Sequence, residues 1–165
     1  MPEIIFDSCV LSNFALSDSL YIIKKLYADT AYIADFVIAE NIKGILKGHK
    51  GLIKIKEAVR DGWLKEVVLE GAKEKELFES LSVSLGFGEA SSIAVAKTRG
   101  FVFACDDRVA RKEAVSLGIK LTGTIGILVK SVRKKVVERK EADRILRKMI
   151  KYGFYSPTTS IKKLL

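Results

Sequence analysis

The chain has 165 residues, with 29 Lys+Arg against 20 Asp+Glu, 48% hydrophobic residues, 12 Gly and only 2 Pro. That length suits one domain with a sizeable core and is too short for a two-domain dehydrogenase or an eightfold βα barrel. One histidine, His49, in a Gly/Lys surface run, and two cysteines without a C-x-x-C spacing remove most Ser–His–Asp, zinc-ribbon and thioredoxin-type chemistry.

In chain order, Glu3–Phe6 reads as a short apolar strand ending at Asp7-Ser8, and Cys9–Ala15 as a short helix. Ser17 or Asp18 caps a second helix, in which Leu20, Ile23 and Tyr27 recur at helical spacing. Ala31–Ala34 is a second strand of buried type, and Asp35 opens a helix through Val37, Ile38, Ile42 and Leu46. After the Gly48–Gly51 break come a helix over Leu52–Arg60 and a strand over Glu66–Leu69. Ala72–Ser82 is amphipathic; Glu89–Lys97 is helical and rich in small residues, suited to close packing on a sheet. Phe101–Cys105 is the clearest strand and ends at Asp106-Asp107. A helix over Asp107–Leu117 stops at Gly118, Ile119–Leu121 is a last strand, and helices run to the end. No repeat, linker or domain boundary interrupts residues 1–165, which read as one domain.

Continuous apolar strands alternating with helices predict an α/β fold whose parallel sheet is covered on both faces. In such sheets the functional crevice lies beyond the carboxyl ends of the strands, where Asp7 and Asp106-Asp107 fall. No charged-then-apolar leader opens the chain, and no apolar run approaches the ~18 residues of a membrane span, so the expected location is cytoplasmic, without membrane association. Glutamine is absent and asparagine occurs only at Asn13 and Asn41, a bias that suggests a heat-adapted source.

The formal charge of +9 is segregated. Residues 130–165 hold twelve basic residues against three acidic ones, whereas residues 1–129 are neutral. A basic helical C-terminal segment of this kind attracts phosphates, with an affinity that falls as salt rises. Alone, such a run is better explained by a solvated helix face; its confinement to one segment points to nucleic acid.

Acids also stand where a soluble fold does not require them: Asp7 and Asp106-Asp107 at strand ends, Glu40 among packing residues, and Glu89 in the first turn of the least polar helix. Each has a plain structural explanation, as a cap, a helix-dipole partner or a solvent-facing side chain. Together at one sheet end they would repel one another by roughly 1–4 kcal/mol per close pair, and a hard divalent cation relieves that repulsion. Mg²⁺ or Mn²⁺ takes oxygen ligands and serves phosphodiester hydrolysis without histidine.

Asp7-Ser8-Cys9-Val10-Leu11, Glu40, Gly88-Glu89 with Ile93-Ala94-Val95-Ala96, and Asp106-Asp107-Arg108-Val109-Ala110-Arg111 resemble, in order, the four acidic motifs of PIN-domain nucleases. Gly118–Leu128 is similar to one PIN branch. The resemblance implies a three-layer α/β/α sandwich with a central, mostly parallel sheet and Mg²⁺- or Mn²⁺-dependent cleavage of RNA. It further implies a VapC-type toxin role beside an antitoxin protein, and a homodimer. By motif, Asp7, Glu40, Glu89 and one or both of Asp106 and Asp107 carry over as metal or water ligands. Ser8 would orient a ligand or the water, and Arg111 would hold the crevice or a phosphate. Cys9 and Cys105 read as buried thiols.

Other signals carry less. Gly86-Phe87-Gly88-Glu89-Ala90-Ser91 lacks the third small residue of a dinucleotide fingerprint and follows a helix. Gly123-Thr124-Ile125-Gly126 reads as a packing turn rather than an RNA-clamping loop. An aspartate-nucleophile phosphatase would want a second Asp where Cys9 stands, and a receiver domain would pair its acids after the first strand. The remaining alternative is a non-catalytic RNA-binding domain of PIN type, against which the intact acids of all four motifs speak.

Overall fold

Ile4, Ile5 and Phe6 are all buried, and the strand they form, β1 (Ile4–Phe6), is the middle of a five-stranded sheet. The computed structural model describes all 165 residues, Met1–Leu165. β1 lies between β2 (Ala31–Ala34) and β4 (Val102–Ala104), with β3 (Lys65–Val67) and β5 (Leu121–Thr122) at the edges, in the order β3-β2-β1-β4-β5. All neighbouring pairs are parallel, with Ile5 beside both Tyr32 and Phe103.

Nine α-helices cover the sheet: α1 (Ser8–Leu16), α2 (Leu20–Tyr27), α3 (Asp35–Leu46), α4 (Ile53–Arg60), α5 (Gly71–Leu81), α6 (Phe87–Arg99), α7 (Arg108–Ser116), α8 (Thr124–Arg133) and α9 (Arg139–Lys151). α6 crosses β1, β2 and β4 and is flanked by α5 and α7; α1, α2, α8 and α9 pack together in the opposite layer. The close approach of α6 follows from its inward Ala90, Ser91, Ala94 and Val95, all buried. The result is a three-layer α/β/α sandwich. None of its helices is long and apolar enough to cross a membrane.

From β1 the chain winds outward to β2 and β3; from β4 it winds the other way to β5. The crossovers reverse between β1 and β4, and in open parallel sheets a crevice opens beyond the strand ends at such a reversal. Asp7 and Asp106 sit on its two sides.

The largest departures from the sequence expectations fall at the sheet edges and the C-terminus. β3 occupies Lys65–Val67 rather than Glu66–Leu69, because pairing with β2 sets its register and an edge strand tolerates exposed Lys65 and Glu66. β5 is Leu121–Thr122 rather than Ile119–Leu121, aligned by Phe103 N–H to the Lys120 carbonyl and Cys105 N–H to the Thr122 carbonyl. α2 begins after Ser19, not after Ser17 or Asp18: the Ser17 and Ser19 hydroxyls bond each other at 2.6 Å and Asp18 adopts φ 56°. The helices also do not run to the end. Beyond Lys151 the chain is irregular apart from a single 3-10 turn at Lys162–Leu164. Asp143 on α9 pins that tail, accepting from Ile161 N–H at 2.9 Å and the Ser160 hydroxyl at 3.1 Å, while Ile161 is fully buried.

Candidate active site

Asp7 leaves β1 with its N–H bonded to the Ala104 carbonyl at 2.9 Å, so the central strand pairing fixes its backbone. Its side chain does not cap α1. Asp7 is only 2% exposed; Oδ2 accepts from the Cys9 thiol at 3.1 Å and lies 3.7 Å from the Cys105 sulfur, and Oδ1 has no donor at all. Burial pushes the Asp7 carboxyl up, the Cys9 hydrogen bond opposes that, and the Glu40 charge adds to it. A buried carboxylate oxygen without a donor is costly to leave so, by about 1–3 kcal/mol or more.

Glu40 projects from α3 against the start of α6. A Cβ added at Gly88 would lie 2.3 Å from Glu40 Oε1 and 3.1 Å from Oε2, so the glycine makes the space this carboxylate occupies. Glu89 follows immediately, half-buried in the first turn of α6. Its carboxyl is pushed up to about 7 by burial first, and then by the charges of Asp7, Asp107 and Glu40. Glu89 thus feels three of the other four acids singled out in the sequence.

The Asp106-Asp107 pair divides. Asp106 turns to the α8 side: Oδ1 accepts Thr124 N–H at 2.9 Å, and Oδ2 accepts the Thr124 hydroxyl at 2.5 Å and Asn13 Nδ2 at 3.2 Å. Asp107 is exposed, caps α7 through Oδ2 to Ala110 N–H at 2.9 Å, and contributes its charge to Glu89. Arg111 holds the crevice wall, donating from one guanidinium nitrogen to the Cys105 carbonyl at 2.7 Å and the Thr122 carbonyl at 3.1 Å. Gly123 permits this, since a Cβ there would meet Asp106 Oδ1 at 2.6 Å. Ser8 opens α1, half-buried beside Asp7, and His49 is exposed far along the chain in its loop.

Sequence reasoning did not single out Asn13 and Thr124, which orient Asp106, or the direction of the two thiols toward Asp7. Cys105 is buried, as read from the sequence, whereas Cys9 is only half-buried. The recurring Gly-Thr turn before α8 was the available signal for Thr124. Asn13 carried none.

Beside the two thiols on Asp7, the crevice offers carboxylate oxygens, with an orphaned buried oxygen and a carboxyl raised by burial and by neighbouring charges. These residues fit a hard divalent cation, which relieves both features. The family model described as a PIN domain matches residues 3–165. The chain belongs to the PIN-domain family.

Two solved structures share the PIN fold seen here. VapBC2 from Rickettsia felis, determined bound to a DNA fragment from their promoter, aligns with TM-score 0.53 and 16% identity over 73% of this chain and 97% of that one. PAE2754 from Pyrobaculum aerophilum aligns with TM-score 0.52 and 21% identity over 78% of this chain and 96% of that one. No curated protein sequence matches the chain.

Proposed function

We propose that this PIN domain is a Mg²⁺- or Mn²⁺-dependent endoribonuclease that hydrolyses RNA phosphodiesters in the cytoplasm as the toxin of a toxin–antitoxin pair. The observation that carries the reading is the crevice of Asp7, Glu40, Glu89 and Asp107, in which one buried carboxylate oxygen lacks a donor and Glu89 is raised to about 7.

In this reading Asp7, Glu40, Glu89 and Asp107 hold the cation, Ser8 orients a ligand or the attacking water, and Asp106 is a positioning residue that ties α1 and α8 to the crevice wall. When bound, the ion neutralises charge at the scissile phosphate and activates the attacking water. Glu89, with its carboxyl at about 7, is roughly half-protonated at neutral pH in the metal-free protein and would hold the cation in its carboxylate form. Asp7, held by the β1–β4 pairing, supplies a ligand whose position does not depend on side-chain ordering at the moment of binding.

The basic segment supplies a track for the RNA. Lys140, Arg144, Arg147 and Lys151 recur at i, i+4, i+7 and i+11 on α9 and are all exposed, opposite buried Ala142, Ile145, Leu146 and Met149. Beyond α9, Phe154, Tyr155 and Pro157 line a 430 Å³ cavity with Asp106, Arg111 and Gly123, on the α8 side of the crevice wall and not lined by Asp7, Glu40, Glu89 or Asp107. Single strands drawn along such a stripe are delivered to the strand ends.

Incubation of purified protein with structured and single-stranded RNA, with Mn²⁺ or with excess EDTA, tests the activity. Cleavage is expected only with the metal, and undiminished cleavage in EDTA would exclude the mechanism. Metal binding without cleavage of any RNA would replace it by a non-catalytic RNA-binding role. The partner and homodimer parts are tested by light scattering of the pure protein and by co-expression with the product of the neighbouring reading frame. A small DNA-binding protein that co-purifies and silences cleavage is expected.

A further inference from the structure

The two thiols beside Asp7 form a donor set of different character from the rest of the crevice. Cys9 is the second residue of α1 and Cys105 the residue after β4, so the β1–β4 pairing brings them together from opposite sides of the strand reversal. Asp7 Oδ2 lies 3.1 Å from Cys9 Sγ and 3.7 Å from Cys105 Sγ, and the three ligand atoms all fall within 4.8 Å of one another. A tetrahedral zinc site, with Zn–S of about 2.3 Å and Zn–O of about 2.0–2.2 Å, has S···O edges of about 3.5 Å and S···S edges of about 3.8 Å. The two observed S···O separations bracket the S···O edge, and the S···S separation lies within 4.8 Å.

The carboxylate between the thiols is itself unsatisfied. Asp7 is 2% exposed and its Oδ1 has no hydrogen-bond donor, so the carboxylate is compensated only in part, through Oδ2. Cys9 is half-buried, so the donor set is not wholly closed off from solvent, and a water would complete the coordination as fourth ligand.

We propose that Asp7 Oδ2, Cys9 Sγ and Cys105 Sγ form a second cation site, selective for zinc-class ions, whose occupation withdraws Asp7 from Mg²⁺ or Mn²⁺ and inhibits the domain. Thiolates select Zn²⁺ over the hard ions, and carboxylates and water suit Mg²⁺ and Mn²⁺. Asp7 is the one residue common to both donor sets. Zinc binding exchanges the two thiol protons for the cation, the protons leaving to solvent. The site exists independently of the nuclease reading; only the inhibitory consequence rests on it.

The test uses the full chain, reduced with a phosphine, and Co²⁺ as a spectroscopic probe for Zn²⁺. The parent should show near-ultraviolet thiolate-to-cobalt absorption that saturates at one equivalent and is displaced by Zn²⁺. Cys9→Ala and Cys105→Ala should each lose most of that absorption. Each should also weaken Zn²⁺ by more than the roughly ten- to hundredfold that loss of an outer hydrogen-bond partner of a metal ligand costs. If Cys105→Ala fails to fold, Cys9→Ala, at the more exposed position, decides alone. Stoichiometric Zn²⁺ should abolish the Mn²⁺-induced rise in Tm and any Mn²⁺-supported cleavage in the parent, and leave both in the Cys9→Ala protein. Absence of the thiolate band in the parent, or an equal band in the cysteine variants, overturns the site. Absence of cleavage with the band intact overturns the nuclease reading and leaves the site standing.

Discussion

The Glu40 carboxylate lies where a side chain at Gly88 would be: an added Cβ would come within 2.3 Å of Glu40 Oε1 and 2.9 Å of Cδ. The contact joins α3 to the first turn of α6 and sets Glu40 beside Glu89. Gly88→Ala therefore displaces Glu40, cheaply, because the far end of a flexible side chain moves. Alanine in a helix is also favoured over glycine by up to ~1 kcal/mol. Thermal unfolding should show an unchanged or higher Tm without metal, together with a diminished Mn²⁺ shift and diminished cleavage. An unchanged Mn²⁺ response would show that Glu40 is not a ligand.

Asp7→Asn removes a buried charge without removing a cap, since the Asp7 side chain makes no capping bond. The metal-free variant should be as stable as the parent or more so. The parent should gain about 2.7 kcal/mol from Mn²⁺ at a hundredfold excess over its Kd, and the variant should gain little of it. Equal Mn²⁺-induced shifts in the two proteins would remove Asp7 from the ligand set.

Asp106 and Asp107 should separate cleanly. Asp106→Ala leaves the Thr124 N–H and hydroxyl without their acceptor, removes one of two acceptors from Asn13 Nδ2, and should cost about 1.5–3 kcal/mol in urea unfolding. Asp107→Asn keeps a competent N-cap, so its stability should stay within ~0.5 kcal/mol of the parent while the Mn²⁺ response falls. The opposite pattern would make Asp106 the ligand.

Glu89 gives the site a pH signature. Its carboxyl is raised from 4.5 to about 7, so in this range the folded state binds more protons than the unfolded one. Its contribution to stability is fully present below about 4.5 and is lost as pH rises through about 7. Mn²⁺ affinity should climb over the same window, because the cation displaces the proton. Paired melts of the parent and Glu89→Gln from pH 4.5 to 8 isolate this group from the other carboxylates. A pH-independent difference between the two would contradict the assignment.

The exposed stripe on α9 is tested by salt. Neutralising Lys140, Arg147 and Lys151 together should weaken RNA binding and lower the slope of log Kd against log salt by about 2, at ~0.7 per single-strand phosphate contact. Turnover at saturating RNA should change much less. Lys134 and Lys135 sit at the end of α8 remote from Thr124 and Asp106, and neutralising them should have the smaller effect. An unchanged slope in the α9 variant would make the stripe a solvated face.

Much of this was fixed locally. A buried parallel strand must be apolar throughout, so Ile4–Phe6 and Phe101–Cys105, which contains β4 (Val102–Ala104), announce themselves, and the first polar residues after them, Asp7 and Asp106-Asp107, fall at the carboxyl ends. The order of acids, the small-residue face of α6 and the concentration of positive charge beyond residue 129 are likewise properties of the chain. Tertiary structure decided which edge residues pair, because Lys65 and Thr122 become strand by bonding to neighbours rather than by their own apolarity. It also decided which of two adjacent aspartates faces Glu89, and it placed Glu40 on Gly88 and the Cys105 thiol on Asp7, 98 residues away. Those choices depend on side-chain directions across separate elements. Sequence periodicity reports which face of an element is buried, and the partner on that face is chosen only when the sheet closes.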